Sequence, residues 1–192
     1  MNWPILNADR ETGVTILDIA EKLDAGDIYD QEKIPIGPRM NVLDLSAQLA
    51  ALSYGLLKKV LQQIKDGKLR GIPQDESKVT FAPMLEKKNG EITFDKPALE
   101  IDRKVRGLRP WPGCHFFFKG ERIALLETDL PETEAALQKP GTILTIDKRS
   151  GITIATTEGA LTLVRVIPEG KKTMSAIDFA NGRHLVPGIV LE

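Results

Sequence analysis

The sequence has a single cysteine, only two histidines and no long apolar run. With Cys114 alone, an internal disulfide and a cysteine-rich zinc site are both excluded, which fits a reducing, cytoplasmic setting, and no metal is expected. No apolar stretch approaches the roughly 18 residues that cross a bilayer, so no membrane partner is expected. The amino terminus, MNWPILNADRETG, lacks the basic and then apolar layout of a secretory signal.

An excess of charge of either sign is also missing. The 192 residues carry 26 basic and 27 acidic side chains, so the chain has no global field that would attract a polyanion. Residues 1–83 hold 10 basic and 12 acidic residues, and residues 84–192 hold 16 and 15, for net charges of −2 and +1. Binding of nucleic acid would therefore depend on a local cluster of basic side chains, which the sequence cannot show.

The amino-terminal part predicts two strands and a long helix. Gly13–Ala20 is rich in β-branched and aliphatic residues, which predicts a strand, and a second short strand ends near KIPIGP. Apolar residues then recur at helical spacing over residues 41–65, between a capping box and a glycine terminator. Two strands and one helix are too few for an α/β sheet, so this part is expected to be the back half of a domain. The residues expected to face inward from the first strand are Val14, Ile16 and Leu17, and the helix signals are Asn41, Asp44 and Gly67.

The rest of the chain predicts a linker and a β-rich part. Asp66–Met84 is polar, contains prolines and glycines and has no periodicity, as is typical of a linker. Pro97–Leu108 predicts a helix, and a final helix is predicted near Ser175–Asn181. Between them, short apolar runs separated by tight turns predict five or six strands in a small barrel or sandwich: HFFF, RIALLE, GTILTID, GITIAT and ALTLVRVI.

Asp24 and Asp27 follow the first predicted strand, where α/β folds commonly place ligands. A carboxylate there can hold an imidazole in the right tautomer or accept a proton from an attacking amine. Gly26 between them would let a flat ligand approach the backbone. On spacing alone a plain surface turn is the favoured interpretation, because Asp-x-Gly-Asp is a common turn composition. The two histidines, His115 and His184, both lie in the second part of the chain.

Two basic stretches are ambiguous. RGLRPWPGC, residues 106–114, can present arginines to phosphate, or it can form a rigid corner whose Trp111 indole plugs a core, and the second interpretation is favoured. EGKKTMSAIDF, residues 169–179, carries a lysine pair, which is a weak electrostatic signal because any exposed turn can carry two lysines. Ser175 in the same stretch is a good helix cap.

Four stretches occur together in the order and spacing typical of one enzyme family: NWPILNADRETGVTILDIAEKLDAGDI, RGLRPWPG, PGTIL and GKKTMSAIDF. Jointly they resemble the methionyl-tRNA formyltransferases over essentially the whole chain. The resemblance implies transfer of a formyl group from 10-formyltetrahydrofolate to the α-amino group of initiator methionyl-tRNA, the expected partner. It also implies a fold class of α/β plus β. The expected parts are the back half of a Rossmann-like formyltransferase domain at 1–70, a linker at 71–82 and an open OB-like β-barrel domain for tRNA binding at 83–192.

In that family the active site joins an asparagine and a histidine, from an Asn-x-His stretch, to the first aspartate of a Leu-Asp-x-Gly-Asp loop. The loop matches residues 23–27 here, so the resemblance assigns catalysis to Asp24 and contact with the formyl donor to Leu23, Gly26 and Asp27. The Asn-x-His stretch has no counterpart, since the family residues upstream of NWPILN are absent. The chain alone is therefore expected to be nearly inert. It is expected to be a fragment, a truncated gene product or one half of a split enzyme, and in the last case a separate chain would supply the missing region.

The resemblance leaves four candidates for contact with tRNA: Arg106, Arg109, Lys171 and Lys172. The family often has a lysine after the Ala-Pro that opens the second domain, whereas FAPML places Met84 there. Two alternatives stay open. One is another folate-dependent formyltransferase, which would share the Leu-Asp-x-Gly-Asp loop. The other is a non-catalytic module that binds tRNA or a partner.

Overall fold

The computed structural model describes residues 1–131 and 138–191. The chain forms two compact units that divide after Pro83: Trp3–Pro83 and Met84–Glu192. Within the described residues, no helix is both long and apolar enough to cross a membrane.

The first unit is built around an antiparallel pair of strands and one long helix. A short helix α1 (Asn2–Leu6) precedes the strands β1 (Glu11–Leu17) and β2 (Ile28–Pro35), and α2 (Val42–Lys65) follows them. The strands pair from Glu11 opposite Pro35 onward, with a register shift at Ile16/Leu17. The irregularity lies where β1 ends, next to the connection that carries the predicted site residues.

The long helix has the ends that the sequence predicts. The Asn41 side-chain oxygen accepts hydrogen bonds from the backbone N–H of Leu43 (2.8 Å) and Asp44 (3.1 Å), and the Asp44 carboxylate accepts from the Asn41 N–H in return. This reciprocal capping box satisfies backbone donors at the start of the helix. Beyond Lys65 the chain turns away through Gly67, at φ +66°.

One side of α2 packs on the strand pair. The buried cluster consists of Ile5, Val42, Leu45 and Leu49, and Val14 packs against it. The inward packing predicted for the first strand is only partial, because Val14, Ile16 and Leu17 are all half-buried. Two strands covered by one helix bury little of either strand.

A second side of α2 is apolar and open to solvent. Its large side chains are between about half and three-quarters exposed: Leu43 at 50%, Tyr54 at 75%, Leu57 at 46%, Leu61 at 55% and Ile64 at 51%. A helix that is apolar on two sides is typical of one covered by elements on both. On its polar side, Lys59 forms an ion pair with Asp30 of β2 at 2.7 Å.

Of the stretch Asp66–Met84, which the sequence predicts as a linker, all but Met84 belongs to the first unit. Ile72 exchanges two backbone hydrogen bonds with Ile28 at the start of β2, of 2.8 and 2.9 Å. A 3₁₀ turn follows at Glu76–Lys78, and the Trp3 indole N–H donates to the Pro83 carbonyl at 2.9 Å. These contacts hold the segment against the first unit.

The second unit is an antiparallel sheet with two helices packed against it. A 3₁₀ turn (Lys87–Gly90) and α3 (Ala98–Gly107) precede the sheet, and α4 (Ala176–Arg183) follows it, capped by Ser175 as predicted. The strands of the sheet are β3 (Cys114–Phe118), β4 (Glu121–Asp129), β5 (Ile143–Asp147), β6 (Gly151–Ala155), β7 (Ala160–Pro168) and β8 (Met174–Ser175). They pair in the order β3-β4-β7-β6-β5, with β8 on β7.

The sheet encloses an apolar core on the side of the helices. Residues that are 2% exposed or less include Ile101, Phe116, Ile123, Ile152, Leu163 and Phe179. Within the described residues the sheet path begins at β3 and ends at β5, which do not pair with each other. The predicted β-rich architecture is therefore present as an open sheet, and the described strands do not close a barrel.

The expectation that Trp111 plugs a core is wrong, since its side chain is 52% exposed. Leu108, three residues earlier and 1% exposed, takes the core position instead. The corner is closed by backbone contacts: the Gly113 N–H donates to the Leu108 carbonyl at 2.9 Å, and a Cβ on Gly90 would meet the Gly113 carbonyl oxygen at 1.9 Å. With the corner held by backbone, the indole is left on the surface.

We expect Asn41→Ala to lower the free energy of unfolding by about 1 kcal/mol, because two backbone donors at the start of α2 lose their acceptor. Urea unfolding followed by far-UV circular dichroism measures the change. Gln48→Ala, on an exposed position within the same helix, is the control and should shift stability by less than about 0.5 kcal/mol. Equal stability of the two variants would contradict the capping role.

Candidate active site

The connection between β1 and β2 is closed at its base by the backbone. The Asp18 N–H donates to the Asp27 carbonyl at 2.9 Å, and the Ile28–Ile72 bridge fixes the next residue. The site is thus a short loop, residues 18–27, anchored at both ends to the strand pair.

Gly26 sits where no other residue fits. A Cβ at this position would meet the Asp18 carbonyl oxygen at 2.0 Å, a distance at which the backbone would have to move. Gly71 makes a similar close approach, since a Cβ there would meet the Asp27 Cβ at 2.6 Å. Both glycines therefore act by letting chain segments touch, which is the use of glycine that close backbone packing requires.

Asp24 lies at the turn of the loop in a left-handed conformation, at φ +53°. Aspartate tolerates this region better than most residues. Its side chain is exposed and has no hydrogen-bond or ion-pair partner within the part of the chain that the structure describes. Leu23 beside it is 88% exposed, so an apolar and an anionic side chain project side by side into solvent.

Gln74 fastens this loop from a segment about 50 residues away. Its side-chain amide donates to the Asp24 carbonyl at 2.8 Å and to the Gly26 carbonyl at 2.7 Å. One NH₂ group thus binds the carbonyls on both sides of Ala25. The Asp24 backbone is fixed while its carboxylate stays available.

The acids at the ends of the loop act on Tyr29, which follows it. The Asp18 carboxylate accepts from the Ile19 N–H at 2.8 Å. The pKa of Tyr29 is raised, first by its partial burial and then by its interactions with Asp18 and Asp27. The Tyr29 hydroxyl is therefore kept neutral.

The four residues that the sequence assigned to this site, Leu23, Asp24, Gly26 and Asp27, lie in one loop. Sequence reasoning missed the residues that hold it: Asp18, Tyr29, Gly71 and Gln74. Gln74 carried no signal beyond its place in a polar stretch, because a hydrogen bond across 50 residues leaves no local pattern.

The histidines do not lie in the first unit. His115 is in β3, where burial and then the charge of Arg122 lower its pKa. His184 ends α4 in a left-handed conformation, at φ +52°. Among the described residues, no group of three or more His, Cys, Asp or Glu side chains lies close enough to hold a metal ion.

Of the predicted tRNA contacts, Arg106 has partners inside its own unit. Its Nε donates to Asp102 at 2.8 Å, with the two side chains 12% and 0% exposed. Asp102 also accepts from the Thr128 hydroxyl at 2.8 Å. Arg106 thus neutralises a buried carboxylate.

The other three predicted contacts lie on the surface. Arg109 is exposed and reaches the Leu126 carbonyl only at 3.4 Å. Lys171 and Lys172 are exposed in the turn after β7, where Gly170 adopts φ +68° and the Lys171 N–H donates to the Pro168 carbonyl. These three side chains are accessible to a ligand.

Two family models match this chain. The model described as "Formyl transferase" matches residues 1–61, and that described as "Formyl transferase, C-terminal domain" matches residues 84–184, which is more than half of the chain. The chain belongs to the formyl transferase family.

Named members of the formyl transferase family are similar over nearly the whole chain. The methionyl-tRNA formyltransferase of Solibacter usitatus is 40% identical over 185 residues, covering 96% of this chain and 58% of the relative. That of Streptococcus equi subsp. equi is 37% identical over 193 residues, covering 100% of this chain and 61% of the relative. The chain thus spans about six-tenths of the length of these curated relatives.

Solved structures show the formyltransferase fold. A variant of HypX from Aquifex aeolicus superposes with a TM-score of 0.71 at 19% identity, covering 95% of this chain and 32% of HypX. HypX in complex with tetrahydrofolic acid superposes with a TM-score of 0.67 at 19% identity, over 93% of this chain and 31% of HypX. An N-formyltransferase from Helicobacter canadensis, with folinic acid and dTDP-3-aminofucose, gives 0.65 at 21% identity, over 83% and 58%.

We expect Gln74→Ala to speed amide hydrogen exchange of Asp18 and Ile28 by about tenfold to thirtyfold, since the two hydrogen bonds lost are each worth about 1 kcal/mol. Exchange is measured by NMR. Gln31→Ala is the matched control, because it removes a side-chain hydrogen bond to Thr15 in the same strand pair. Unchanged exchange in Gln74→Ala, or equal acceleration in both variants, would show that Gln74 does not fasten the loop.

We expect Arg106→Gln to lower the free energy of unfolding by about 3 kcal/mol or more, because it leaves the buried Asp102 carboxylate without its cation. Chemical unfolding of the variant measures this loss. Arg109→Gln, which removes an exposed arginine of the same unit, should leave stability within about 0.5 kcal/mol. Wild-type stability of Arg106→Gln would contradict this stabilising role of the ion pair.

Proposed function

We propose that this chain acts in the transfer of a formyl group from 10-formyltetrahydrofolate to the α-amino group of initiator methionyl-tRNA. The observation that carries the proposal is the loop 18–27, whose backbone is fixed while the Asp24 carboxylate stays exposed and without a partner. The relatives named methionyl-tRNA formyltransferase, at 37 to 40% identity, support the choice of substrate.

The reaction sets the task of Asp24. The amine nitrogen forms a bond to the formyl carbon while the bond from that carbon to the donor nitrogen breaks, so the amine loses one proton and the donor nitrogen gains one. A carboxylate that orients a histidine and helps to remove the amine proton suits this exchange. A fixed backbone at Asp24 reduces the ordering that the reaction requires to the rotation of its side chain.

The neighbours of Asp24 are proposed to contact the formyl donor. Leu23 offers an exposed apolar side chain for a flat ring, and Gly26 and Asp27 shape the loop beneath it. Residues 1–83 contain no histidine. We therefore propose that the histidine and asparagine that would stabilise the developing oxyanion come from another segment or a separate chain.

The second unit is proposed to hold the tRNA as an OB-like domain. Its open antiparallel sheet, with exposed basic side chains at Arg109, Lys171 and Lys172, supports this role. The domain limits of 1–70, 71–82 and 83–192, like the cytoplasmic location, stay predictions from the sequence.

We expect Asp24→Asn to reduce formyl transfer by about 10² or more, the usual effect of removing an acid–base group. The assay follows labelled formyl on initiator methionyl-tRNA, using the chain supplemented with the amino-terminal segment of the Solibacter usitatus relative. The segment alone gives the background. Glu21→Gln, which removes an exposed carboxylate from the same loop, is the control and should keep wild-type activity.

Two outcomes would overturn the proposal separately. Full activity of Asp24→Asn would remove Asp24 from the chemistry while leaving the enzyme class intact. No transfer by the supplemented wild-type chain, despite tRNA binding, would favour a non-catalytic binding module.

A further inference from the structure

The solvent-exposed side of α2 carries a regular apolar row, which we call the α2 seam. Successive members of the row are three and four residues apart in strict alternation, which is the heptad spacing of a coiled coil. All of them are exposed. The α2 seam consists of Ala47, Ala50, Tyr54, Leu57, Leu61 and Ile64.

The α2 seam is separate from the side of the helix that packs inside the first unit. That inner side uses other positions of the same helix, all of them buried: Leu45, Leu49, Leu56 and Val60. Single exposed apolar residues are ordinary on a protein surface, whereas a contiguous row of them marks an interaction site. Because the row has heptad spacing, the element that fits it is a second helix lying nearly parallel or antiparallel to α2.

The sizes of the side chains favour an antiparallel partner of the same sequence. The α2 seam begins with the small Ala47 and Ala50 and ends with the large Leu61 and Ile64. Two copies that run in the same direction would set alanine against alanine at one end and leave voids there. In an antiparallel pair, Ala47 of one copy faces Ile64 of the other, and Ala50 faces Leu61. A small side chain then meets a large one at both ends, as interdigitating layers require.

The charges beside the α2 seam agree with the same register. This register sets Tyr54 opposite Leu57 at the centre and Asp44 of one copy near Lys65 of the other at both ends. The Asp44 Oδ2 accepts from the Asn41 side chain at 2.6 Å, and among the described residues neither Asp44 nor Lys65 forms an ion pair. Asp44 lies in the first turn of α2 and Lys65 in the last, so antiparallel helices also oppose their dipoles.

We propose that α2 pairs antiparallel with α2 of a second copy of this chain through the α2 seam. The proposal goes beyond the proposed function and does not depend on it, since no residue of the α2 seam lies in the loop 18–27. Pairing removes apolar surface from water on both copies, and each copy uses the same surface, so the contact closes as a dimer. A different chain would need a matching row of its own, whereas a second copy supplies the match of size and of charge by itself.

The test measures the mass of the full chain by sedimentation velocity over a wide range of protein concentration. The seam variant is Leu57→Gln/Leu61→Gln. The control is Val79→Gln/Phe81→Gln, which replaces two exposed apolar residues of the same unit outside α2. Far-UV circular dichroism and thermal unfolding of each variant check that it is folded.

We expect the wild-type chain to form a dimer as its concentration rises. The dissociation constant of the seam variant should be higher by at least about a hundredfold, because both copies lose two apolar side chains from the contact. The control should keep the wild-type value. A wild-type chain that stays monomeric at every concentration, or a seam variant that dimerises as well as wild type, would overturn the proposal.

Exchange of charges tests the antiparallel register. Lys65→Glu sets two acids against each other at both ends of the pair and should weaken the dimer by about tenfold at low salt. Asp44→Lys/Lys65→Glu restores opposite charges in the antiparallel pair and should recover most of the lost affinity. In a parallel pair the two positions lie at opposite ends, so a double exchange without recovery would contradict the register.

A different chain on the same face gives a different result. The probe is the amino-terminal segment of the Solibacter usitatus relative, added to the wild-type chain and to the seam variant. A monomeric wild-type chain that binds this segment, with binding lost in the seam variant, would assign the α2 seam to another polypeptide and overturn the second copy. Activity of the supplemented chain is measured separately, so the proposed function stands or falls independently of the dimer.

Discussion

The site depends on a close contact between Gly26 and the Asp18 carbonyl, which closes the loop between the two strands of the first unit. Any side chain at residue 26 would force the ends of the loop apart. Once the loop is closed, the Gln74 amide can bind the carbonyls of Asp24 and Gly26 together. These contacts hold the backbone on both sides of Ala25, and the Asp24 carboxylate is left exposed and without a partner among the described residues.

Arginine side chains have two different roles in the second unit. Arg106 is buried against Asp102, where it compensates a charge that would otherwise destabilise the fold. Arg109, three residues further along the chain, is exposed and reaches only the Leu126 carbonyl, at 3.4 Å. Stability and charge that is open to a ligand are therefore supplied by different arginines of one unit. This separation explains how a unit of nearly balanced charge can still present a basic surface.

Local signals predicted the elements of the fold well. The capping box at Asn41, the terminator at Gly67 and the cap at Ser175 each depend on residues within one turn, which a sequence shows directly. Burial across elements was predicted less well. Trp111 was placed in the core because its corner is rigid, whereas Leu108 fills that position. Gln74 was missed because its contacts with the loop arise only when distant segments meet.

The central claim, that the loop around Asp24 receives the formyl donor, is tested most directly by NMR. The chain is labelled with nitrogen-15, the amino-terminal segment of the Solibacter usitatus relative is added unlabelled, and tetrahydrofolate is titrated in. The account predicts amide shift changes at residues 23–27 and at the Gln74 side chain. Saturable shift changes confined to other residues, with this loop unaffected, would contradict it.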